Sequence, residues 1–150
     1  MNTESVWPPD DSHSRRAVAE LARQLCGDQA VVFAVVFGSQ QSGETTAASD
    51  LDIAVQFDDD CSSHERFRRR CHLSGELQRG DLPFVDVSDL DTLPLEVAAD
   101  AVGGQLLCGD RAAFASVRRT VAAEYAQRRE ELQAHHRSVI DEIAEEGLRG

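Results

Sequence analysis

The sequence contains no lysine, and its 27 acidic residues outnumber the 15 basic residues, all of which are arginine, for a formal net charge of −12. An acidic surface repels a polyphosphate backbone, so this balance argues against direct binding of nucleic acid. We therefore expect no direct nucleic-acid partner.

The sequence also lacks any apolar run near the ~20 residues that a membrane span needs. The first eleven residues lack the basic and apolar regions of a secretory signal. We therefore expect a cytoplasmic protein with no membrane partner. The four cysteines are too few for a disulfide scaffold at this length and contain no C-x-x-C pair, which predicts reduced thiols at Cys26, Cys61, Cys71 and Cys108.

Hydrophobic residues make up 41% of the 150 residues, which is enough to bury one core. Residues 1–11 carry Pro8 and Pro9 and show no periodicity. We predict a flexible leader at 1–11 and a single domain over 12–150.

Hydrophobic spacing predicts strands that alternate with helices. Seven apolar residues at 31–37 are typical of a central strand buried on both faces, and residues 51–57 alternate as in a second strand. The other predicted elements are a helix from Ser12 or Ser14 to Gly27, a helix at 62–79, a strand at 83–88, a helix at 94–102 and a strand at 105–108.

The longest regular pattern covers residues 111–146, where Phe114, Val117, Val121, Leu132 and Ile143 follow helical spacing. This pattern predicts one amphipathic helix or two helices separated by a kink. An unbroken helix would be roughly 50 Å long, more than a domain of this size covers. Part of it should therefore project or meet a partner.

The most informative stretch follows the first predicted strand and reads Gly38-Ser39-Gln40-Gln41-Ser42-Gly43. A buried strand that ends in Gly-Ser before a helix start offers free backbone N–H groups and a hydroxyl to a phosphate. Gly38 allows close approach of the backbone, and Gly43 relieves the following turn.

Three aspartates then suggest a metal site. Asp50 and Asp52 stand two residues apart at the start of the second strand, so both side chains point to one face. Asp86 lies in the third predicted strand and joins them if the two strands are neighbours. Unpaired carboxylates repel one another, and Mg²⁺ with the phosphates of a nucleotide resolves that conflict.

Gly38-Ser39, then Asp50-x-Asp52, with a later Asp86, resembles the signature of polymerase-β-type nucleotidyltransferases, and in particular the minimal nucleotidyltransferase (MNT) proteins. The resemblance implies an α+β fold, a small mixed sheet with helices packed against it and a long C-terminal helix. It implies an antitoxin that transfers AMP from ATP to a tyrosine hydroxyl of a HEPN-domain toxin, with which it forms a hetero-oligomer.

The resemblance also implies the site residues. Asp50, Asp52 and Asp86 would be catalytic and would hold Mg²⁺ in a two-metal site. Residues that would bind ATP are Gly38, Ser39, Gln40, Gly43 and Ser49. Many family members carry arginine after the Gly-Ser, and the neutral Gln40 offers hydrogen bonds to the phosphates without a charge.

Two other functions compete with this interpretation. A catalytically weak binding module could neutralise the HEPN partner by complex formation alone. A free-standing transferase for a small molecule such as an aminoglycoside would normally need a further substrate domain, which the sequence does not show.

Other polar residues have simpler interpretations. Asp89 and Asp91 are predicted turn residues. Either would take the place of Asp86 in the metal site if the predicted register of the third strand is wrong by a few positions. Adjacent Cys71 and His72 diverge by about 100° on a helix, which argues against zinc at Cys61, His64, Cys71 and His72. The arginines at 66 and 68–70 are predicted to form a solvated helix face whose positive charges balance the negative charges of the aspartates at 58–60. We expect Tyr125, also a possible modification target, and His135-His136 to flank the core.

Overall fold

Within the residues that the structure describes, four strands form one mixed sheet, and helices pack on both of its faces. The fold comes from a computed structural model, which describes residues 12–38, 51–78 and 85–149. In chain order the elements are α1 Ser12–Cys26, β1 Val31–Phe37, β2 Leu51–Phe57, α2 Ser63–Glu76, β3 Val85–Asp89, a 3-10 helix Leu90–Thr92, α3 Leu95–Val102, β4 Gln105–Gly109 and α4 Arg111–Arg149. The predicted α+β class is confirmed. The predicted leader at 1–11 lies outside the described residues.

The strands lie in the order β3-β2-β1-β4. β1 pairs antiparallel with both β2 and β4, whereas β2 and β3 are parallel. The interior position of β1 explains its composition, because a strand covered by helices on both faces requires apolar side chains throughout. Phe33, Ala34, Val35 and Val36 are all fully buried, which confirms the prediction of a central strand.

The sheet separates two apolar clusters. One face packs against α1 and α2, and the other packs against α3 and the start of α4. Leu51, Ile53, Val55 and Phe57 of β2 face the first cluster, while Ala54 faces the second. The alternation predicted for this strand is therefore confirmed, and it places Asp52 on the face opposite to α1 and α2.

The C-terminal pattern forms one helix of 39 residues without a break, about 58 Å long at ~1.5 Å per residue. Phe114 packs in the second cluster, and Val117 and Val121 pack against it. Every residue from 126 to 147 is exposed. The prediction that part of this helix projects is confirmed.

The expectation of reduced thiols is wrong for two of the four cysteines. Cys26 and Cys108 form a disulfide with their Cα atoms 6.3 Å apart, although 82 positions separate them in sequence. The physical reason is tertiary, since α1 packs across β1 and β4 and brings its last residue against β4. Cys61 and Cys71 are free thiols.

Among the helices of the described residues, none combines the length and apolar character that a membrane crossing requires. The long α4 is no exception, because charged residues recur along its whole length.

Candidate functional site

Two of the three predicted aspartates lie side by side on neighbouring strands. Asp52 of β2 pairs in register with Asp86 of β3. In-register residues of adjacent parallel strands point to the same face, and such strands lie about 4.8 Å apart. Asp52 is half-buried and Asp86 is exposed. The predicted convergence is confirmed for this pair, whereas Asp50 lies outside the described residues.

Gly38 lies directly beside this pair. It follows β1, whose last residue Phe37 pairs with Asp52. Gly38 has a φ of 86°, which L side chains rarely adopt, and a Cβ at this position would lie 2.5 Å from Oδ2 of Asp52. Glycine is therefore required here for the Asp52 carboxylate to sit against the backbone. The other predicted nucleotide-binding residues lie outside the described residues, namely Ser39, Gln40, Gly43 and Ser49.

The pair suits a divalent cation of the hard type. Carboxylate oxygens are the ligands that Mg²⁺ prefers, and two like charges on one face gain from a shared cation. Within 12–38, 51–78 and 85–149, no group of three or more His, Cys, Asp or Glu residues is arranged to hold a metal. Two of the three residues predicted to be metal ligands, Asp52 and Asp86, therefore lie within the described residues.

The position of Asp86 depends on side chains that hold the outer edge of β3. Gln78 follows α2, and its side-chain amide donates to the carbonyl of Val85 at 2.8 Å and accepts from the N–H of Val85 at 3.1 Å. Arg70 donates to the carbonyl of Val87 at 3.5 Å. Among the described residues, these side chains pair the polar backbone groups of this strand edge. Sequence reasoning missed Gln78, because no local pattern connects its amide to a strand edge.

Asp89 does not belong to the site. It points to the α2 side of the sheet, where its Oδ2 accepts from Nε of Arg66 at 3.0 Å and where it is 3% exposed. Its Oδ1 also accepts from the N–H of Asp91, at the start of the 3-10 helix. Asp91 in turn accepts from Gln56. The prediction of a turn residue is confirmed for Asp91, which lies in the 3-10 helix, and is wrong for Asp89, which is the last residue of β3. The register places Asp86 beside Asp52.

The arginine run on α2 contacts other partners than predicted. Arg66 pairs with Asp89, and Arg69 pairs with Asp28 and Glu65. The hydrogen bond that Arg69 donates to the Asp28 carboxylate raises the pKa of Arg69 above its usual value. The prediction that this run balances residues 58–60 is therefore wrong for Arg66 and Arg69, which hold α2 against neighbouring elements.

The remaining candidates, Tyr125, His135 and His136, lie on α4. Tyr125 is half-buried, and the guanidinium of Arg129 lies 5.8 Å from the centre of its ring. His135 and His136 are exposed on the projecting part of α4. The expectation that these histidines flank the core is wrong, because the helix continues past the domain before it reaches them.

Comparisons with known proteins identify the family of the chain. The family described as polymerase beta, nucleotidyltransferase, matches residues 20–112. No curated protein matches the chain significantly. The resemblance to polymerase-β-type nucleotidyltransferases is confirmed.

Solved structures of toxin–antitoxin complexes share the fold. A toxin–antitoxin complex with AMP-PNP contains a chain that is 22% identical, with a TM-score of 0.57, and the match covers 85% of this chain and 96% of that one. A complex of the tri-AMPylated HEPN toxin of Shewanella oneidensis with an MNT antitoxin gives 21% identity, 86% and 97% coverage and a TM-score of 0.57. An MntA–HepT complex gives 21% identity, the same coverages and a TM-score of 0.56.

Proposed function

Because this chain belongs to the polymerase beta nucleotidyltransferase family, we propose that it transfers AMP from ATP to a tyrosine hydroxyl of a HEPN-domain toxin and so neutralises the toxin. The observation that carries the proposal is the in-register pair of Asp52 and Asp86 beside the Gly38 backbone. Two carboxylates and a close glycine turn form a site for a cation and a phosphate together.

Each site residue has a proposed role. Asp52 and Asp86, with Asp50, would hold Mg²⁺ in a two-metal site, which supplies charge neutralisation at the phosphates when it is occupied. The backbone that follows Gly38, with Ser39, Gln40, Gly43 and Ser49, would hold the triphosphate. Such a reaction needs positioning and charge neutralisation more than elaborate machinery, which suits a chain of 150 residues.

The proposed transfer forms one bond and breaks one. The tyrosine oxygen forms a bond to the α-phosphorus of ATP, the bond from that phosphorus to the bridging oxygen breaks, and pyrophosphate leaves. Asp86 would accept the phenolic proton. Asp86 is exposed while Asp52 is half-buried, so the side of the site that holds Asp86 is open to a protein acceptor.

The partner is proposed from the structural neighbours. One neighbour is an MNT antitoxin in complex with a tri-AMPylated HEPN toxin, and another complex contains AMP-PNP. These complexes support a hetero-oligomer with a HEPN toxin and ATP as the substrate. We place this activity in the cytoplasm, where ATP and Mg²⁺ are available together.

The test is a transfer assay with a purified HEPN-domain toxin as the acceptor. We expect ATP and Mg²⁺ together to increase the toxin mass by one or more AMP groups and to release pyrophosphate, and EDTA to prevent both. Toxin neutralised with no change in mass would contradict the enzyme proposal and support the alternative binding module.

Replacement of Gln40 by arginine should tighten the binding of Mg-ATP. Charge-assisted hydrogen bonds to phosphate are about twice as strong as neutral ones, which predicts a gain of ~1 kcal/mol. The net charge of −12 opposes anion binding, so we expect the gain to be larger at low salt. Calorimetric titration of both variants at low and high salt measures the difference. Equal affinities under both conditions would show that residue 40 does not face the nucleotide.

A further inference from the structure

The projecting end of α4 carries apolar side chains that its own domain leaves uncovered. Residues 126–147 are all exposed and extend for about 33 Å. Four large apolar residues lie here with exposed fractions of 37% to 64%, and we call them the apolar stripe: Leu132, Val139, Ile140 and Ile143.

The apolar stripe continues the face of α4 that packs on the domain. With about 100° per residue, Leu132 and Ile143 have nearly the same direction as Phe114, which is 8% exposed in the second apolar cluster. Val139 repeats Val121 after five helical turns in the same way. The helix therefore keeps one apolar face from the core to its exposed end.

Charges beside the apolar stripe change sign along the helix. In its first half the charged residues beside it are Arg128 and Arg129, and Glu131 lies farther round, about 100° from Leu132. In its second half they are Glu142 and Glu146, and Arg137 lies on the other side of the stripe, about 60° from Ile140. Arg128, Glu142 and Glu146 lie on the same side of the stripe, according to the helical spacing.

We propose that the apolar stripe docks against the apolar stripe of a second copy of this chain, with the two helices antiparallel. When residue 136 lies near the two-fold axis, Leu132 faces Val139 and Ile140 of the other copy. Arg128 then faces the space between Glu142 and Glu146 of the other copy, on the same side of the interface.

Charge and length both favour this occupant. A parallel pair would place the acidic halves together and the arginines together, which is unfavourable. An antiparallel pair centred near residue 136 covers the exposed segment of each copy from end to end and leaves the two domains at opposite ends. The interface lies outside the nucleotidyl-transfer site, so the proposal does not depend on the proposed activity.

Sedimentation of the full-length chain without toxin or nucleotide tests the proposal. We expect a monomer–dimer equilibrium across a dilution series for the natural chain. Leu132→Glu should be monomeric at every concentration. The matched control Ala134→Glu adds the same charge about 200° away around the helix and should still dimerise.

A charge exchange tests the orientation. Arg128→Glu should abolish the dimer by placing acidic groups opposite Glu142 and Glu146. The triple variant Arg128→Glu, Glu142→Arg, Glu146→Arg should regain it, because each copy then presents the reversed partner charges. Circular dichroism of every variant checks that α4 remains helical.

Either of two results would overturn the proposal: a natural chain that stays monomeric across the dilution series, or a triple variant that does not recover the dimer. If the natural chain is monomeric and its toxin binding is lost in Leu132→Glu and kept in Ala134→Glu, the apolar stripe is assigned to the toxin instead.

Discussion

Asp52→Asn, alone or with Asp50→Asn, is expected to lower AMP transfer to the toxin by at least about 10³-fold, since it removes a charged ligand at the point where charge develops on the phosphates. Asp52 stands in register with Asp86 and against the Gly38 backbone, so asparagine keeps the shape of the side chain while it removes the charge. Initial rates of pyrophosphate release, with mass spectrometry of the toxin, measure the effect.

Matched substitutions separate the site from general acidity. Asp86→Asn should also reduce transfer strongly. Asp91→Asn should leave it unchanged, because Asp91 contacts Gln56 four residues beyond Asp52 along β2. Thermal unfolding should show that all four variants are folded. Transfer at the natural rate by a folded Asp50→Asn, Asp52→Asn variant would contradict the assignment of the site.

Arg66→Met is expected to lower the free energy of unfolding by about 3–5 kcal/mol, because it leaves the buried Asp89 carboxylate without its cationic partner. Methionine has a similar length and keeps the apolar contacts of the side chain. Urea unfolding measures the loss. Transfer per folded molecule should be retained, because Arg66 and Asp89 meet on the face of the sheet opposite to Asp52 and Asp86.

Two further variants identify the cause of this loss. Arg66→Met with Asp89→Asn should recover part of the stability, because the unpaired buried charge is gone. Arg68→Met removes an exposed pair with Glu65, with side chains 68% and 38% exposed, and should cost less than about 1 kcal/mol. Equal losses for Arg66→Met and Arg68→Met would show that burial of Asp89 contributes little.

The expected loss of transfer involves Asp52 and Asp86, whereas the expected loss of stability involves Asp89. These aspartates look alike in the sequence. Asp86 and Asp89 are three residues apart on the same short strand. Strand alternation places Asp86 on the open face beside Asp52 and Asp89 on the face covered by α2. One carboxylate is therefore available for chemistry, and the other connects the sheet to a helix.

The local sequence determined the order of the elements, the central position of β1 and the face on which Asp52 lies. These features depend on short-range periodicity, in which apolar residues two or three to four positions apart mark the buried side of a strand or helix. The same short range explains why Gly38, next to the end of β1, could be identified as the place where backbone approaches the site. Short-range periodicity also gave the length of α4, and that length alone predicted that part of the helix projects from the domain.

Only the tertiary structure decided which distant residues meet. The parallel pairing of β2 with β3 brings Asp52 to Asp86, and the packing of α1 on β4 joins Cys26 to Cys108 across 82 positions. Arg66 reaches Asp89 across 23 positions in the same way. Such contacts depend on strand order and on the fit of whole helices against the sheet, so no local pattern contains them.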